Sequence, residues 1–368
     1  MNRLKPLEYK IKAAFYALVR IFLKRGRFGL TPLDGSQLRR VLFLRPDRLG
    51  DTVCSFPLID AIREHFPHVK IGILASHRNL ALIRNDSRFD EVFIYHRNLI
   101  KDIREVRAIR KAGYDCVVDL LGDDSVTTLV LSQLCVGHQP RIGVGKKRFA
   151  RYYDYNHDFT DSPDHIITIN LQLLKAFGLD PESSDGFAPP HIPESAVRKA
   201  KAFIAELPDE GGMTIGLNLS VRLPNRIWGY DKSRQLLEMI RRKYTNGRII
   251  LLTAPSDRDR GDELQKPFSH GVYQVPPNLN ILEASAVIAE LDLLVTADTS
   301  VVHIARSFRV PVVGLYPEFS GVYRQWRPYG QDYGLVLSRG DDNIFNITPE
   351  QVFEAFEVSL AANKLTVS

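Results

Sequence analysis

The 368-residue sequence has little cysteine and no recognisable metal site. Cys54, Cys116 and Cys135 show no CxxC spacing and an odd count, which predicts reduced thiols and a cytosolic compartment. The scattered histidines form no HxxxH pair beside a carboxylate, so the sequence predicts no bound metal. It contains neither GxxxxGKS nor GxxxxGKT, and no GxGxxG follows a strand pattern. These absences argue against a P-loop enzyme and against a dinucleotide-dependent dehydrogenase.

Outside its N-terminal arm the sequence also lacks an excess of positive charge. The net charge is +6, but residues 1–30 hold eight bases and one acid, so the remaining chain is near −1. A basic arm on a nearly neutral body does not support a nucleic-acid-binding face on the main fold. We therefore expect no nucleic-acid partner.

The arm has the pattern of a basic amphipathic helix. Its apolar residues recur every three or four positions, at Leu4, Leu7, Ile11, Phe15, Leu18 and Phe22. Charge interrupts the segment too often for a membrane span or a signal peptide. Two alternatives remain open. The helix lies on an anionic membrane surface with its bases facing the headgroups, or it packs on its own domain with its bases solvated.

From residue 41 onward, short β-rich runs alternate with helical patterns, which predicts βαβ units and parallel sheets. The predicted strands are 41–45, 69–75, 91–95, 115–120 and 140–144, then 213–218, 248–253, 272–275, 292–296, 311–315 and 333–337. The predicted helices are 54–65, 77–84, 100–112, 125–135 and 165–178, then 231–244, 257–266, 281–290, 300–308 and 348–361. A Pro- and Ser-rich stretch separates the two series.

The predicted fold class is therefore α/β, with two doubly wound Rossmann-like domains facing a central cleft. Ligands of such sheets bind at the carboxyl ends of the strands, so the informative residues should follow strands directly. The predicted divisions are residues 1–30 for the N-terminal helix, 31–180 for the N-terminal domain, 181–195 for the linker, 196–345 for the C-terminal domain, and 346–368 for a C-terminal helix and tail.

The first informative turn follows strand 41–45 and carries Arg45, Asp47, Arg48, Gly50 and Asp51. Gly50 permits close approach of another backbone. Asp51 stands near the start of a helix whose body is Phe56 to Phe66, where it can simply cap the helix. An ionised carboxylate at the mouth of a cleft can also accept a proton from a hydroxyl nucleophile. Arg45 and Arg48 either hold anionic substrate groups or pair with Asp47.

The second turn is Ala297-Asp298-Thr299-Ser300, between a buried strand and the helix at 300–308. Hydroxyls and backbone N–H groups at a helix N-terminus suit a phosphate or diphosphate, and His303 lies one turn further on. Asp298 would repel phosphate but can accept hydrogen bonds from sugar hydroxyls. The alternative is structural: Asp298 or Thr299 caps the helix, and His303 is a satisfied, half-buried core residue.

Three stretches together resemble a known family. They are RPDRLGDTVCSFPLIDAIRE at 45–64, YDCVVDLLGD at 114–123, and DLLVTADTSVVHIARSFRVPVVGLYP at 292–317. The sequence looks like glycosyltransferase family 9, the lipopolysaccharide heptosyltransferases, which share the two-domain GT-B fold. The resemblance implies transfer of a heptose from ADP-heptose to the inner core of lipopolysaccharide, with inversion, without a metal and without a cofactor.

The resemblance also implies roles for individual residues. Asp51 would be the general base, and Asp298 would hold donor sugar hydroxyls. Thr299, Ser300 and His303 would hold the donor diphosphate. Arg226, two residues before Trp228, would balance charge on the leaving diphosphate. Asp257 is placed near the nucleotide ribose, with a solvated helix cap as the alternative. The sequence departs from the family where Gly229 replaces a proline after the tryptophan.

The family's acceptor is a lipid A derivative in the inner leaflet, carrying phosphates and acidic sugars. The resemblance thus implies an enzyme located in the cytoplasm, peripheral on the inner face of the membrane, with residues 1–30 as its contact. Two other functions remain open. One is a non-catalytic carbohydrate- or nucleotide-binding protein with the same fold. The other is an epimerase or synthase acting on nucleotide sugars.

Overall fold

The structure is a computed structural model that describes residues 21, 23–27, 32–160, 162–208, 211–319, 321 and 323–365. The chain forms two compact units. The first contains the described residues of Met1–Arg48, Pro57–Ser162 and Ile167–Gly186. The second contains those of Leu49–Phe56, Pro163–Ile166 and Phe187–Ser368. The short segment Leu49–Phe56 therefore belongs to the second unit, although it follows the first strand of the first unit.

The first unit is built on a parallel sheet of six strands in the order β3-β2-β1-β4-β5-β6. Its strands are β1 (Arg40–Leu44), β2 (Lys70–Ser76), β3 (Glu91–Tyr95), β4 (Cys116–Asp119), β5 (Arg141–Val144) and β6 (Tyr155–His157). The central β1 pairs Val41 with Ile71 on one side and with Cys116 on the other. It is apolar and buried from Val41 to Leu44, because helices cover both faces of such sheets.

The second unit repeats this architecture with the order β12-β11-β10-β7-β8-β9. Its strands are β7 (Thr214–Asn218), β8 (Arg248–Leu252), β9 (Val272–Gln274), β10 (Leu293–Ala297), β11 (Val312–Pro317) and β12 (Leu335–Ser338). Ile215, Leu293, Val295 and Val313 lie in its buried core. Two doubly wound parallel sheets confirm the predicted α/β fold class.

The helices of the described residues are numbered in chain order. They are α1 (Leu49–Val53), α2 (Phe56–His65), α3 (Leu80–Ile83), α4 (Leu99–Ala112), α5 (Val126–Val136), α6 (Ile166–Leu171), α7 (Glu194–Glu206), α8 (Tyr230–Lys243), α9 (Arg258–Gln265), α10 (Ile281–Ala289), α11 (Ser300–Ser307), α12 (Tyr323–Trp326) and α13 (Pro349–Ala362). The helix predicted at 165–178 is α6 followed by a 3₁₀ segment, Gln172–Phe177. Strand β6 was not predicted, because three residues are too few to show a strand pattern. Helix α7 was not predicted either, because a Pro- and acid-rich stretch directly precedes it.

Most of the N-terminal arm lies outside the described residues, including the whole run 1–20. The helical prediction for that part therefore stays a prediction. Residues 23–27 are described and are not helical. Their backbone is fastened to the first unit, because the N–H groups of Lys24 and Arg27 donate to the side chains of Gln133 and Asp154 at 2.9 and 2.8 Å. Within the described part of the chain, we find no helix long and apolar enough to cross a membrane.

Candidate active site

The turn after β1 is held by Arg45, whose side chain is only 2% exposed. Its Nη1 donates to the backbone oxygen of Leu120 and lies 3.3 Å from Oδ2 of Asp47. Asn79 donates to the backbone oxygen of Arg45 at 2.7 Å. The buried Arg45 is therefore not placed to bind the acceptor, as one prediction had it. Its guanidinium pairs with Asp47, which was the alternative prediction. Arg48 is exposed, so solvent and ligands can reach it.

Asp51 lies on α1, which is a separate five-residue helix rather than the start of the helix at 56–66. The chain turns at Cys54 and Ser55 before α2 begins. Because α1 belongs to the second unit, Asp51 lies in the same unit as residues 298–303. The predicted domain bounds of 31–180 and 196–345 placed these two groups in different domains, and the structure places them in one unit.

Gly50 of α1 packs directly against α11. A Cβ atom at Gly50 would lie 2.9 Å from Cδ2 of His303 and 3.3 Å from Cα of Ser300. Real Cβ atoms do not tolerate the first distance, so a side chain here would push the helices apart. Asp51, the next residue along α1, is half-buried, and its negative charge acts on the imidazole of His303.

We expect Gly50→Ala to lower the free energy of unfolding by about 1–3 kcal/mol, through overpacking against His303 and Ser300. Displacement of Asp51 should also slow transfer by about ten-fold or more. Gly247→Ala is the matched control, because its Cβ would have no neighbour nearer than 3.5 Å. Denaturant unfolding and transfer rates test this. Equal effects of the two substitutions would refute the close-packing argument.

The second turn lies between β10 and α11, as predicted. Thr299 occupies the N-cap position, yet its side chain makes no capping hydrogen bond. Instead its Oγ1 accepts from Nδ2 of Asn218 at 3.3 Å and lies 3.4 Å from Oγ1 of Thr296. The capping alternative for Thr299 is therefore not observed. Because the first N–H groups of a helix have no intrahelical acceptor, this turn keeps donors suited to an anion.

His303 is buried, with 6% of its surface exposed. Its Nδ1 has no hydrogen-bond partner, and its ring meets Trp326 edge-on at 5.7 Å between centroids. Burial lowers the pKa of His303 to about 4, although the negative charge of Asp51 opposes the shift. The imidazole is therefore neutral at pH 7 and can offer an N–H without adding a charge. The alternative of a satisfied core histidine is not observed.

His165, the residue behind His303, is a second buried histidine. Its Nε2 lies 2.9 Å from the backbone oxygen of Arg327, and its ring is 6.0 Å from that of His303. Burial, and then the neighbouring His303, hold the pKa of His165 well below 6.5. Sequence analysis missed this residue, because no pattern around it distinguishes it from other histidines.

The two histidines predict a loss of stability in acid. Each folded-state pKa is lower than the unfolded value of 6.5, so protonation favours unfolding. The stabilisation is complete above pH 6.5 and falls as the pH drops toward 4. His303 alone should account for about 3 kcal/mol across this window. Urea unfolding at a series of pH values should show a shallower pH dependence for His303→Gln. The exposed His191→Asn should keep the wild-type slope.

Arg226 lies between two acidic side chains of the second unit. Its Nε is 3.6 Å from Oδ2 of Asp298, and its Nη2 donates to Oδ1 of Asp342 at 3.2 Å. Nη1 donates to the backbone oxygen of Asp342 at 3.1 Å. The buried Nε has no hydrogen-bond partner. The guanidinium is therefore positioned by Asp342 while one donor remains to be satisfied, which suits a group that meets an anionic ligand.

The replacement of proline by Gly229 has a backbone cause. Gly229 precedes α8 with φ 105° and ψ 152°, a conformation that is open to glycine and closed to proline. Trp228 is anchored nearby, because its Nε1 donates to the backbone oxygen of Ile347 at 3.0 Å. The chain thus keeps Trp228 in the core while residue 229 adopts a backbone conformation that proline cannot.

Asp257 lies at the N-terminal end of α9 but does not cap it. Its Oδ2 accepts a 2.7 Å hydrogen bond from Ser220, and its Oδ1 lies 3.8 Å from Nη1 of Arg260. The capping alternative is therefore wrong. Ser220 is linked to the second turn through Asn218, whose Nδ2 donates to the backbone oxygen of Ser220 at 3.3 Å and to Thr296 at 2.9 Å.

Asn218 is a site residue that sequence analysis missed. It ends β7, which pairs with β10, so the carboxyl ends of both strands bring it to Thr296 and Thr299. The sequence feature that could have identified Asn218 is a polar residue at the carboxyl end of an otherwise apolar strand. A pocket at this edge is lined by Asn218, Arg226, Trp228, Thr296 and Arg260, with apolar side chains between them.

The predicted site residues therefore fall into three places. The second unit brings together Asp51, Arg226, Asp298, Thr299, Ser300 and His303, with Asp257 one strand further along the sheet. Arg48 lies on the surface of the turn, and Arg45 is buried away from it. Among the described residues, no three His, Cys, Asp or Glu side chains form a group that could hold a metal ion.

Comparison with known proteins identifies relatives of this chain. The chain is 21% identical over 301 residues to lipopolysaccharide heptosyltransferase 3 of Escherichia coli K12, covering 77% of this chain and 83% of that protein. The crystal structure of a family 9 glycosyltransferase from Veillonella parvula superimposes with a TM-score of 0.73 at 18% identity, covering 90% and 99% of the two chains.

A structure of the E. coli heptosyltransferase WaaC with ADP-2-deoxy-2-fluoro heptose gives a TM-score of 0.66 at 19% identity, covering 87% of this chain and 99% of that one. These structural likenesses confirm the predicted GT-B fold. The family model described as glycosyltransferase family 9 (heptosyltransferase) matches residues 103–347. The chain belongs to glycosyltransferase family 9, the heptosyltransferase family.

Proposed function

We propose that this protein transfers a heptose from ADP-heptose to an inner-core lipopolysaccharide acceptor, with inversion and without a metal. One observation carries the proposal. Gly50 seats the helix of Asp51 directly on His303 and Ser300, and the negative charge of Asp51 acts on His303, so a carboxylate lies near a turn suited to an anion. A base beside a leaving-group site is the arrangement that a single displacement at a sugar carbon needs.

Asp51 is the general base of this proposal. Its carboxylate accepts the proton of the acceptor hydroxyl as that oxygen attacks the anomeric carbon of the heptose. The bond from this carbon to the ADP oxygen breaks on the opposite face, which inverts the anomeric configuration. The short, packed helix α1 fixes the carboxylate and so reduces the entropic cost of reaching this geometry.

The leaving ADP gains negative charge as the bond breaks. The backbone N–H groups at the start of α11, from Thr299 and Ser300 onward, provide fixed dipoles for this charge. Because the hydroxyl of Thr299 is engaged with Asn218 and Thr296, its backbone N–H is the better candidate donor. His303 contributes a neutral N–H, and Arg226 contributes the positive charge.

Asp298 completes the donor site in this proposal. It lies 3.6 Å from Arg226, which neutralises part of its charge and lets an acid stand near a diphosphate. Its oxygens can then accept hydrogen bonds from heptose hydroxyls. Asp257 is assigned to the nucleotide ribose, with Ser220 and Arg260 fixing its carboxylate beside the pocket.

The acceptor in this proposal carries phosphates and acidic sugars, which the exposed Arg48 can contact. Arg45 is not included, because its guanidinium is buried. A lipid-linked acceptor requires work at the inner face of the membrane, in the cytoplasm. The basic N-terminal arm, residues 1–30, supplies one membrane contact through the part of it that is predicted to be helical. Removing these residues should reduce co-sedimentation with anionic liposomes, and unchanged binding would assign the arm a structural role.

The decisive experiment measures ADP release from ADP-heptose with and without a lipid A–sugar acceptor. Release that requires the acceptor supports transfer, and NMR of the product reports the anomeric configuration. Turnover without acceptor would instead favour an epimerase or synthase. Tight ADP binding with no turnover under either condition would favour a non-catalytic binding protein. Retention of activity in EDTA tests metal independence.

A further inference from the structure

The first turn of α4 exposes a group of apolar side chains. Leu99, Ile100 and Ile103 are 77%, 67% and 41% exposed. The other exposed large hydrophobics of the described residues come from separate elements. Leu99 and Ile103 are four residues apart, so they share one face of the helix with Ile100 beside them. Clustered exposed apolar side chains of this kind commonly mark an interaction surface.

The exposure is not a result of fraying, because the start of α4 is tightly fixed. Asn98 caps the helix by accepting from the N–H of Lys101 at 3.1 Å. The carboxylate of Asp102 accepts from the N–H groups of His96 and Asn98 at 2.7 and 2.9 Å. Arg97 adopts a left-handed backbone with φ 59°, which is unfavourable for a residue with a side chain. A strained, fully bonded turn therefore holds Leu99 and Ile100 outward.

Basic side chains surround this apolar group. Arg97, Lys101, Arg104 and Arg107 are all exposed, and none makes an ion pair within the described part of the chain. The acids of α4 do not offset them on the outer face. The carboxylate of Asp102 accepts from backbone N–H groups that precede the helix, and Oε1 of Glu105 lies 3.4 Å from Nε2 of His96. Further along α4, Ile109 is buried in a core cluster of the first unit, and the partly buried Val106 packs against that cluster.

We propose that this α4 patch, defined as Leu99, Ile100 and Ile103 with Arg97, Lys101, Arg104 and Arg107, docks on the surface of an anionic lipid bilayer. A rigid apolar edge enters the interface between headgroups and acyl chains. The surrounding bases contact lipid phosphates, each adding attraction that falls off with distance and salt. Several unpaired bases with no acid among them fit a uniformly anionic surface better than a second copy of this patch, which would repel them.

The position of the patch gives the docking a consequence. α4 follows β3, so the patch lies at the carboxyl edge of the first sheet, where ligands of such sheets bind. Docking would hold that edge against the lipid surface. The inference goes beyond the proposed transfer and does not depend on it, nor on the predicted helix at 1–30.

The test is co-sedimentation of the full chain with vesicles of phosphatidylethanolamine and phosphatidylglycerol, and separately with phosphatidylcholine vesicles. One variant is Leu99→Ser with Ile100→Ser and Ile103→Ser. The second is Lys101→Gln with Arg104→Gln and Arg107→Gln. Leu134→Ser with Val358→Ser is the apolar control, and Lys201→Gln with Arg242→Gln is the charge control, since all four residues are exposed elsewhere.

Each lost base near the surface should cost about five-fold in partitioning, so both patch variants should bind anionic vesicles at least about ten-fold more weakly than the controls. Added salt should weaken binding of the wild type, and phosphatidylcholine vesicles should bind it poorly. Circular dichroism confirms that each variant folds. If the apolar variant misfolds, the charge variant still tests the proposal, because glutamine at these exposed positions preserves the helix.

Unchanged binding of the charge variant, or of both variants, would overturn the proposal and leave any membrane contact to the arm. Equal binding to both vesicle types would also overturn it. Sedimentation velocity tests whether a second copy of this chain binds the patch instead. A wild-type dimer that the apolar variant converts to a monomer would show that the patch is an interface between copies of this chain.

Discussion

Asp51→Asn should reduce heptose transfer by about 10²–10⁴-fold while ADP binding survives, because the amide keeps the shape of the carboxylate but cannot accept the proton. The packing of Gly50 on His303 is untouched by this change, so α1 should stay in place. Single-turnover transfer and ADP titration measure the two quantities separately. The exposed Glu64→Gln on α2 is the matched control and should retain full activity.

A second readout distinguishes the base from a structural carboxylate. The charge of Asp51 acts to raise the pKa of His303, so its removal should lower that pKa further below about 4. NMR titration of the imidazole detects this change. A loss of ADP affinity in proportion to the loss of transfer would contradict the proposal, since Asp51 would then support the diphosphate turn rather than receive a proton.

Arg226→Gln should lower kcat/KM for the donor by about 10²–10³-fold, because the leaving diphosphate loses its positive charge and an oriented donor. ADP affinity should also decrease. The kcat/KM of Arg226→Lys should lie between those of the wild type and Arg226→Gln. Lysine keeps the positive charge but not the planar guanidinium that Asp298 and Asp342 orient. Steady-state kinetics and ADP titration check this ordering.

Two further substitutions make the second prediction specific. Arg222→Gln removes an exposed base from the same loop and should leave kcat/KM near the wild-type value. Asp342→Asn removes the carboxylate that holds the guanidinium, so it should cost less than loss of Arg226 itself. A larger effect of Asp342→Asn than of Arg226→Gln would assign the reaction chemistry to the acid and overturn the role given to Arg226.

Local sequence patterns predicted most of the fold because the strands are short, apolar and well bounded. The run at 91–95 was predicted and found as Glu91–Tyr95, and the turn at 298–300 lies between β10 and α11 as expected. The helix predicted at 54–65 was found as α2, Phe56–His65, whose first turn contains Pro57, a helix-start signal. The preceding helix α1 was not predicted, because five residues are too few to show a helical period, and it is separated from α2 at Cys54 and Ser55. The break arises because α1 packs in the second unit, which is a tertiary effect.

The site was only partly predictable for the same reason. Asp298 to His303 are neighbours in the sequence, so helix-end chemistry identified them. The partners that define Arg226 are remote, since Asp342 is 116 residues away. Its role was therefore available only from the family resemblance. Arg45 and Arg48 look equivalent in the sequence, yet Arg45 is buried with its guanidinium bonded to the backbone oxygen of the remote Leu120, while Arg48 is exposed.

The placement of Leu49–Phe56 limits how this protein can be recombined with its relatives. A hybrid joined within residues 181–195 would take Gly50 from one parent and His303 from the other. These positions meet at a separation that leaves no room for one additional methyl group. Productive hybrids will therefore need residues 49–56 to travel with the C-terminal half, so the practical unit of exchange is discontinuous along the chain.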